Sequence, residues 1–142
     1  MKILVAVDGS KPSLHAVKYA IKLVGQLRDL NNTITLISVH DDVGLRHARA
    51  YVGGEAVADY LRQASEKELK AARALLDAAA IQHSMVIATG HIALEITKLA
   101  KSGRFDLVVM GSKGRNAVAD LLLGSVAQRV IATADRPVLI VK

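Results

Sequence analysis

The chain has 142 residues, no cysteine, 51% apolar and 23% charged residues, and a formal charge of +6. That length suffices for one core without a disulfide or structural metal, the composition excludes disorder, and the missing thiols exclude zinc–thiolate sites and cysteine catalysis. Its basic residues run from Lys2 to Lys142 without a dense cluster, and aromatics make up 3% of the chain with no tryptophan. A surface of that kind lacks the stacking platforms of a nucleic-acid binder, while a phosphate-bearing small molecule suits the charge equally well.

In chain order, residues 2–7 form the first expected strand, in which Ile3-Leu4-Val5-Ala6-Val7 is continuously apolar. A helix then begins near Pro12 with Ser10 as its cap, and Leu14, Val17, Ile21 and Val24 form its buried stripe. Residues 33–39 form the second strand. Residues 40–54, with glycines at 44, 53 and 54, read as a long irregular loop of the functional or mobile kind. A long helix follows over 55–80, carrying Val57, Leu61, Leu69 and Leu76. Strands at 84–89, 106–110 and Val138–Val141 alternate with helices through Ile92, Ile96 and Leu99, and from Ser125 through Val130 and Ile131. His15, His83 and His91 read as surface residues on helices or helix edges.

Uninterrupted apolar strands are those covered on both faces, and the β-α alternation with right-handed crossovers gives an α/β fold. The expected architecture is an open, doubly wound, five-stranded parallel sheet with helices on both faces, Rossmann-like. No apolar run reaches the ~18 residues of a membrane helix, and the first run ends at Asp8, too short for a signal-peptide core. A cytoplasmic location is the expectation.

Ligands of such sheets lie beyond the carboxyl ends of the strands, where the winding reverses. Asp8-Gly9-Ser10 follows the first strand, and His40-Asp41 the second. Gly111-Ser112-Lys113-Gly114-Arg115 follows the fourth, and Gly124-Ser125 comes later, at a helix start. Glycines permit tight turns with exposed N–H groups, and a helix N-terminus favours an anion. Two such segments converging make a polyphosphate cradle, with Lys113 and Arg115 adding charge and Ser125 capping its helix or donating to a phosphate oxygen. Taken singly, each glycine reads first as a turn former, and it is their spacing as a set that favours the cradle. Neither a P-loop nor the three-glycine dinucleotide fingerprint is present. His40, Asp41, Asp42 and His47 have the chemistry of metal ligands but read as a solvated loop, so no metal site is assigned. No Ser-His-Asp set or carboxylate pair stands where catalysis would need one.

The spacing Gly111-x2-Gly114-x9-Gly124-Ser125 matches the nucleotide-binding motif of the universal stress proteins, and the resemblance covers the whole chain. Ile3-Leu4-Val5-Ala6-Val7-Asp8-Gly9-Ser10 resembles the family's first strand and its aspartate. Asp106-Leu107-Val108-Val109-Met110-Gly111-Ser112, Gly124-Ser125-Val126-Ala127 and Pro137-Val138-Leu139-Ile140-Val141 are similar to its later signatures.

The resemblance implies a single domain over residues 1–142, of the Rossmann-like type shared with adenine-nucleotide α-hydrolases, in the subgroup that binds ATP. It implies that Asp8 holds the ribose or metal side, that the Val39 backbone faces adenine, and that Ala6 and Val7 line the base pocket. Met110 and Gly111 would pass under the ribose. Gly114, Arg115, Gly124, Ser125 and Val126 would surround the phosphates, bridged by Mg²⁺. One departure is Gly90-His91-Ile92, where many relatives carry proline two residues after the glycine.

The expected function is a homodimeric, nucleotide-dependent stress regulator with at most slow ATP hydrolysis, acting on a protein partner. Its dimer would pair through Val138–Val141, an apolar edge strand that needs covering. The alternatives are a slow ATPase or self-phosphorylating protein using Ser112 or Ser125, and a nucleotide-free interaction module whose glycines are structural.

Overall fold

The structure is a computed structural model that describes residues 1–27, 31–115 and 123–142. Its elements are β1 (Lys2–Ala6), α1 (Lys11–Gln26), β2 (Thr33–His40), α2 (Asp42–Val52), α3 (Gly54–Ala78) and β3 (His83–Thr89). They continue with α4 (Ile92–Ser102), β4 (Leu107–Gly111), α5 (Ser125–Thr133) and β5 (Val138–Val141). The five strands form one sheet in the order β3-β2-β1-β4-β5. Every neighbouring pair is parallel, with Val5 opposite Leu36 on one side and Val109 on the other.

Strand side chains alternate between faces, and the apolar runs here serve two cores at once. Ile3, Val5, Ile34 and Leu36 pack against α1 and α3, where Val17, Ala20, Leu69 and Leu76 meet them. Leu4, Ile37, Val108 and Met110 face the other way, onto Ala93, Ile96, Ala127 and Val130 of α4 and α5. The fold is thus the doubly wound one the sequence predicts. The edges are less covered: no residue of β5 is buried, and Met85 and Ile87 of β3 are exposed.

α1 starts as its sequence dictates. Ser10 is the N-cap, its hydroxyl accepting from Ser13 N at 3.3 Å, and proline follows within the first two helical positions.

One expectation needs correction. Residues 40–54 are not an irregular loop but hold an eleven-residue helix, α2, separated from α3 by Gly53 at φ +83°. None of the α2 side chains described is buried. A helix that buries no stripe leaves no 3.6-residue signature, so periodicity does not reveal it. Helix α3 stops at Ala78, and Ala80 turns the chain at φ +53°. His83 is also not on a helix: it opens β3, and its Nδ1 donates to Ile81 O at 2.9 Å. Among the described residues no helix is long and apolar enough to cross a membrane.

Candidate functional site

The carboxyl ends of β1, β2 and β4 open into a cleft of about 550 Å³. It lies at the switch point of the sheet, where β1 sits between strands whose connections wind to opposite faces. All eleven residues picked out from the sequence line it.

They divide by chemistry. Ala6, Val7, Val39 and Met110 come from the strand ends, and Ile37, Ile92, Ala93 and Ile96 extend the apolar wall across to α4. Asp8, Gly111, Gly114, Arg115, Gly124, Ser125 and Val126 line it as well. A cleft that combines apolar side chains with glycine segments suits a ligand with a flat apolar ring and an anionic tail.

Each polar element is held for a reason. Asp8 accepts from Ser10 N at 3.0 Å through Oδ1 and from Arg115 N at 3.1 Å through Oδ2. One carboxylate therefore both closes the turn after β1 and ties down the segment after β4. Two bonds accepted from the described residues leave acceptor capacity, since an ionised carboxylate offers about four lone-pair sites.

Gly111 is glycine for packing: a Cβ there would lie 2.7 Å from Pro12 C and 2.8 Å from Pro12 O. The first turn of α1 is pressed against the end of β4. At Gly114 a Cβ would stand 3.1 Å from Asp8 Oδ2. Gly124 N donates to Ser112 O at 2.7 Å, which brings the two glycine segments together.

The cap of α5 differs from expectation. Gly124, at φ −72° and ψ 158°, is the N-cap, and Ser125 is the first helical residue. A glycine cap brings no side-chain acceptor, so the first-turn N–H groups of α5 keep their anion-binding capacity. Residues 116–122, inside the nine-residue interval of the glycine motif, lie outside the described residues.

Two interactions were not legible beforehand. Arg115 Nη1 donates to Glu68 Oε1 at 2.5 Å, and Ser38 Oγ donates to Glu68 Oε2 at 2.8 Å. His40 Nε2 lies 2.6 Å from Ser65 Oγ and 3.9 Å from Glu68 Oε2. Glu68 belongs to the stripe Leu61, Ser65, Glu68, Leu69, Ala72 and Leu76, buried along α3. A charged residue at helical spacing within an apolar stripe was the available signal.

A buried carboxylate that loses its partner is costly, about 3–5 kcal/mol for a fully buried pair. Here Arg115 is 55% exposed, and solvent screening lowers this to about 2–3 kcal/mol.

The second interaction spans the cleft's α4–α5 rim, where Arg129 Nη1 lies 3.0 Å from His91 Nε2. Arginine only donates, so His91 Nε2 is the acceptor and the neutral ring carries its proton on Nδ1. His91 and Arg129 both line the cleft.

The candidate metal ligands are not gathered into such a set. His40 turns under α3 and Asp41 lines the cleft. Among the described residues no three His, Cys, Asp or Glu side chains come within reach of one ion. The Asp42 side chain lies outside the described residues.

Comparison with known proteins agrees with the fold and the family resemblance. The profile of the Universal stress protein family matches residues 1–142. Universal stress protein MJ0531 of Methanocaldococcus jannaschii is 33% identical over 141 residues, spanning 99% of this chain and 81% of the relative. The solved structure of MJ0577, from the same organism, superposes with a TM-score of 0.81 at 26% identity, covering 99% of this chain and 94% of that one. A universal stress protein solved in complex with cAMP gives a TM-score of 0.62 at 27% identity, covering 99% and 95%. With a family match along its whole length and a relative one-third identical, this chain belongs to the universal stress protein family.

Proposed function

We propose that the cleft binds an adenine nucleotide, ATP with Mg²⁺, and that the protein is a nucleotide-dependent regulator in the stress response. The observation that carries this reading is the joining of an apolar wall to two glycine segments in one cleft of about 550 Å³. The base lies against Ala6, Val7, Val39 and Met110, and Gly111 passes beneath the ribose. Gly114, Arg115, Gly124, Ser125 and Val126 surround the phosphates. Asp8, which keeps acceptor capacity, is the group for the ribose hydroxyls or the metal side.

The fit rests on the chain itself. Side chains at Gly111 and Gly114 would crowd Pro12 and Asp8, and the uncapped start of α5 offers N–H groups to an anion. A related protein of this fold solved with cAMP supports an adenine nucleotide as the ligand class. Mg²⁺ would supply charge neutralisation for the phosphates. His91, which lines the cleft, has its Nε2 paired with Arg129, which favours binding with at most slow hydrolysis over turnover.

The working form is a cytoplasmic homodimer paired along β5, whose four residues are each only partly covered. Nucleotide occupancy would change a surface read by a protein partner.

The test is mass spectrometry of small molecules released on denaturing the purified protein, followed by calorimetric titration with ATP–Mg²⁺, AMP and cAMP. Bound adenine nucleotide, or saturable heat at a 1:1 ratio per chain, is the expected outcome. No released nucleotide together with no heat overturns the reading. Light scattering checks the dimer separately, and a monomer at micromolar concentration overturns it.

A further inference from the structure

We propose that Glu68 is a positioning residue of the cleft: it holds the Arg115 guanidinium to itself, and thereby fixes residues 112–115 in their binding shape. The proposal rests on the nucleotide reading for its ligand, and on the geometry of α3 for its mechanism.

Glu68 is 9% exposed and fixed from three sides. Ser38, fully buried on β2, gives its one hydroxyl proton to Oε2. The turn after β1 presses on its stem, since a Cβ at Gly9 would lie 3.1 Å from Glu68 Cγ. Arg115 closes the third side at Oε1. Arg115 is in turn held at both ends by carboxylates from different elements, its main-chain N by Asp8 and its side chain by Glu68. Gly114, one residue earlier, is packed against the same Asp8. A chain segment pinned at two points 47 residues and 107 residues away in sequence is set by α3 and β1 rather than by its own turn.

An anion entering the cleft competes for this guanidinium, and the competition is unequal. If Arg115 left, Glu68 would keep one serine hydroxyl, with His40 Nε2 3.9 Å away and already 2.6 Å from Ser65. The cost of leaving falls on a carboxylate that is 9% exposed, whereas the bond gained is made by an arginine that is 55% exposed and screened by solvent, so the balance tips toward Glu68. The arginine therefore stays on Glu68, and the phosphates are met by the N–H groups of the glycine segments. Arg115 shapes the site without its guanidinium touching the ligand.

Calorimetric titration of ATP–Mg²⁺ and AMP into Glu68→Gln, Arg115→Gln, the double variant and Arg115→Lys tests this. Hydrogen exchange of the nucleotide-free proteins is followed in parallel at residues 111–115. Each single variant should weaken ATP and AMP by the same factor, about tenfold for one charge-assisted bond. The double variant should be no worse than either single one, because the two groups act as a unit. Arg115→Lys should recover part of the loss. The Arg115 amide, bonded to Asp8 in the parent, should lose protection in Glu68→Gln while the β4 amides keep theirs.

Arg115→Gln that weakens ATP at least tenfold while sparing AMP would place the guanidinium on the distal phosphates and overturn the proposal. Tighter ATP binding by Glu68→Gln would do the same, by revealing the carboxylate as a competitor. If the parent binds no nucleotide, the ligand reading fails. Exchange at Arg115 still decides the role of Glu68, with unchanged protection refuting it.

Discussion

Replacing Gly111 by alanine should damage the fold before it damages the site. The added Cβ would lie 2.7 Å from Pro12 C, 2.8 Å from Pro12 O and 2.9 Å from Pro12 Cβ, whereas carbon atoms in contact sit ~3.5–4.0 Å apart. The atoms struck are mainly backbone, in a helical turn held by the Ser10–Ser13 cap, and cannot swing aside as a side chain would. Either β4 or the start of α1 must move. Overpacking of this kind costs about 1–3 kcal/mol, and a clash with main chain falls at the upper end. For a chain of this length about 3 kcal/mol lowers Tm by about 10 °C. Thermal unfolding followed by circular dichroism reads it directly, and a urea titration should show a lower midpoint at an unchanged m value. Gly114→Ala is the control, because among the described residues its Cβ meets only Asp8 Oδ2, at 3.1 Å. That carboxylate can shift by tenths of an ångström, so its Tm should fall little while nucleotide affinity drops. A Gly111→Ala protein melting within a degree of the parent would refute this reasoning, as would equal damage from both substitutions.

Other changes separate packing, backbone and site. Leu76→Ala, at a fully buried position of α3, should cost about 2–5 kcal/mol in urea unfolding. A cost below 1 kcal/mol would mean that the α3 core is not packed as described. Ala80→Gly and Arg104→Gly replace residues at φ +53° and +52°, and each should stabilise by about 0.5–1 kcal/mol because glycine carries no penalty there. Lowered melting temperatures in both would contradict the left-handed turns. Asp8→Ala removes the acceptor for Ser10 N and Arg115 N. It should cost about 2 kcal/mol in the same unfolding assay and abolish nucleotide binding in calorimetry; unchanged affinity would exclude Asp8 from the site.

The sheet and the lining of the cleft were legible because both leave marks along the chain. Ile3 to Val7 and Leu107 to Met110 could be uniformly apolar only by being covered on both faces, and Gly111, Gly114 and Gly124 mark where the backbone must come close. The hidden parts are those whose cause lies elsewhere in the sequence. Nothing beside Gly111 announces Pro12, ninety-nine residues earlier, as the reason for the glycine. Of the two roles the sequence allows Ser125, capping α5 or donating to a phosphate, the dihedral angles give the cap to Gly124, although a serine is the more usual N-cap. α2 escaped notice because its described side chains bury nothing, and Glu68 because its partners Ser38 and Arg115 lie 30 and 47 residues away.

The central place of β1 in the sheet also bears on how the chain is made. β1 pairs with β2 on one side and β4 on the other, and Ile3, Leu4 and Val5 are wholly buried in the finished sheet. During synthesis the second partner arrives late, since β2 ends at His40 and β4 begins at Leu107. At ~5–20 residues per second the ribosome takes roughly 3–14 s to cover that interval. Throughout it the apolar run Ile3-Leu4-Val5 sits in a strand with an unpaired edge, the form of backbone most prone to pair with a neighbouring nascent chain. Chaperone capture or a translational pause would therefore matter most for this protein before β4 emerges, and least once it has docked.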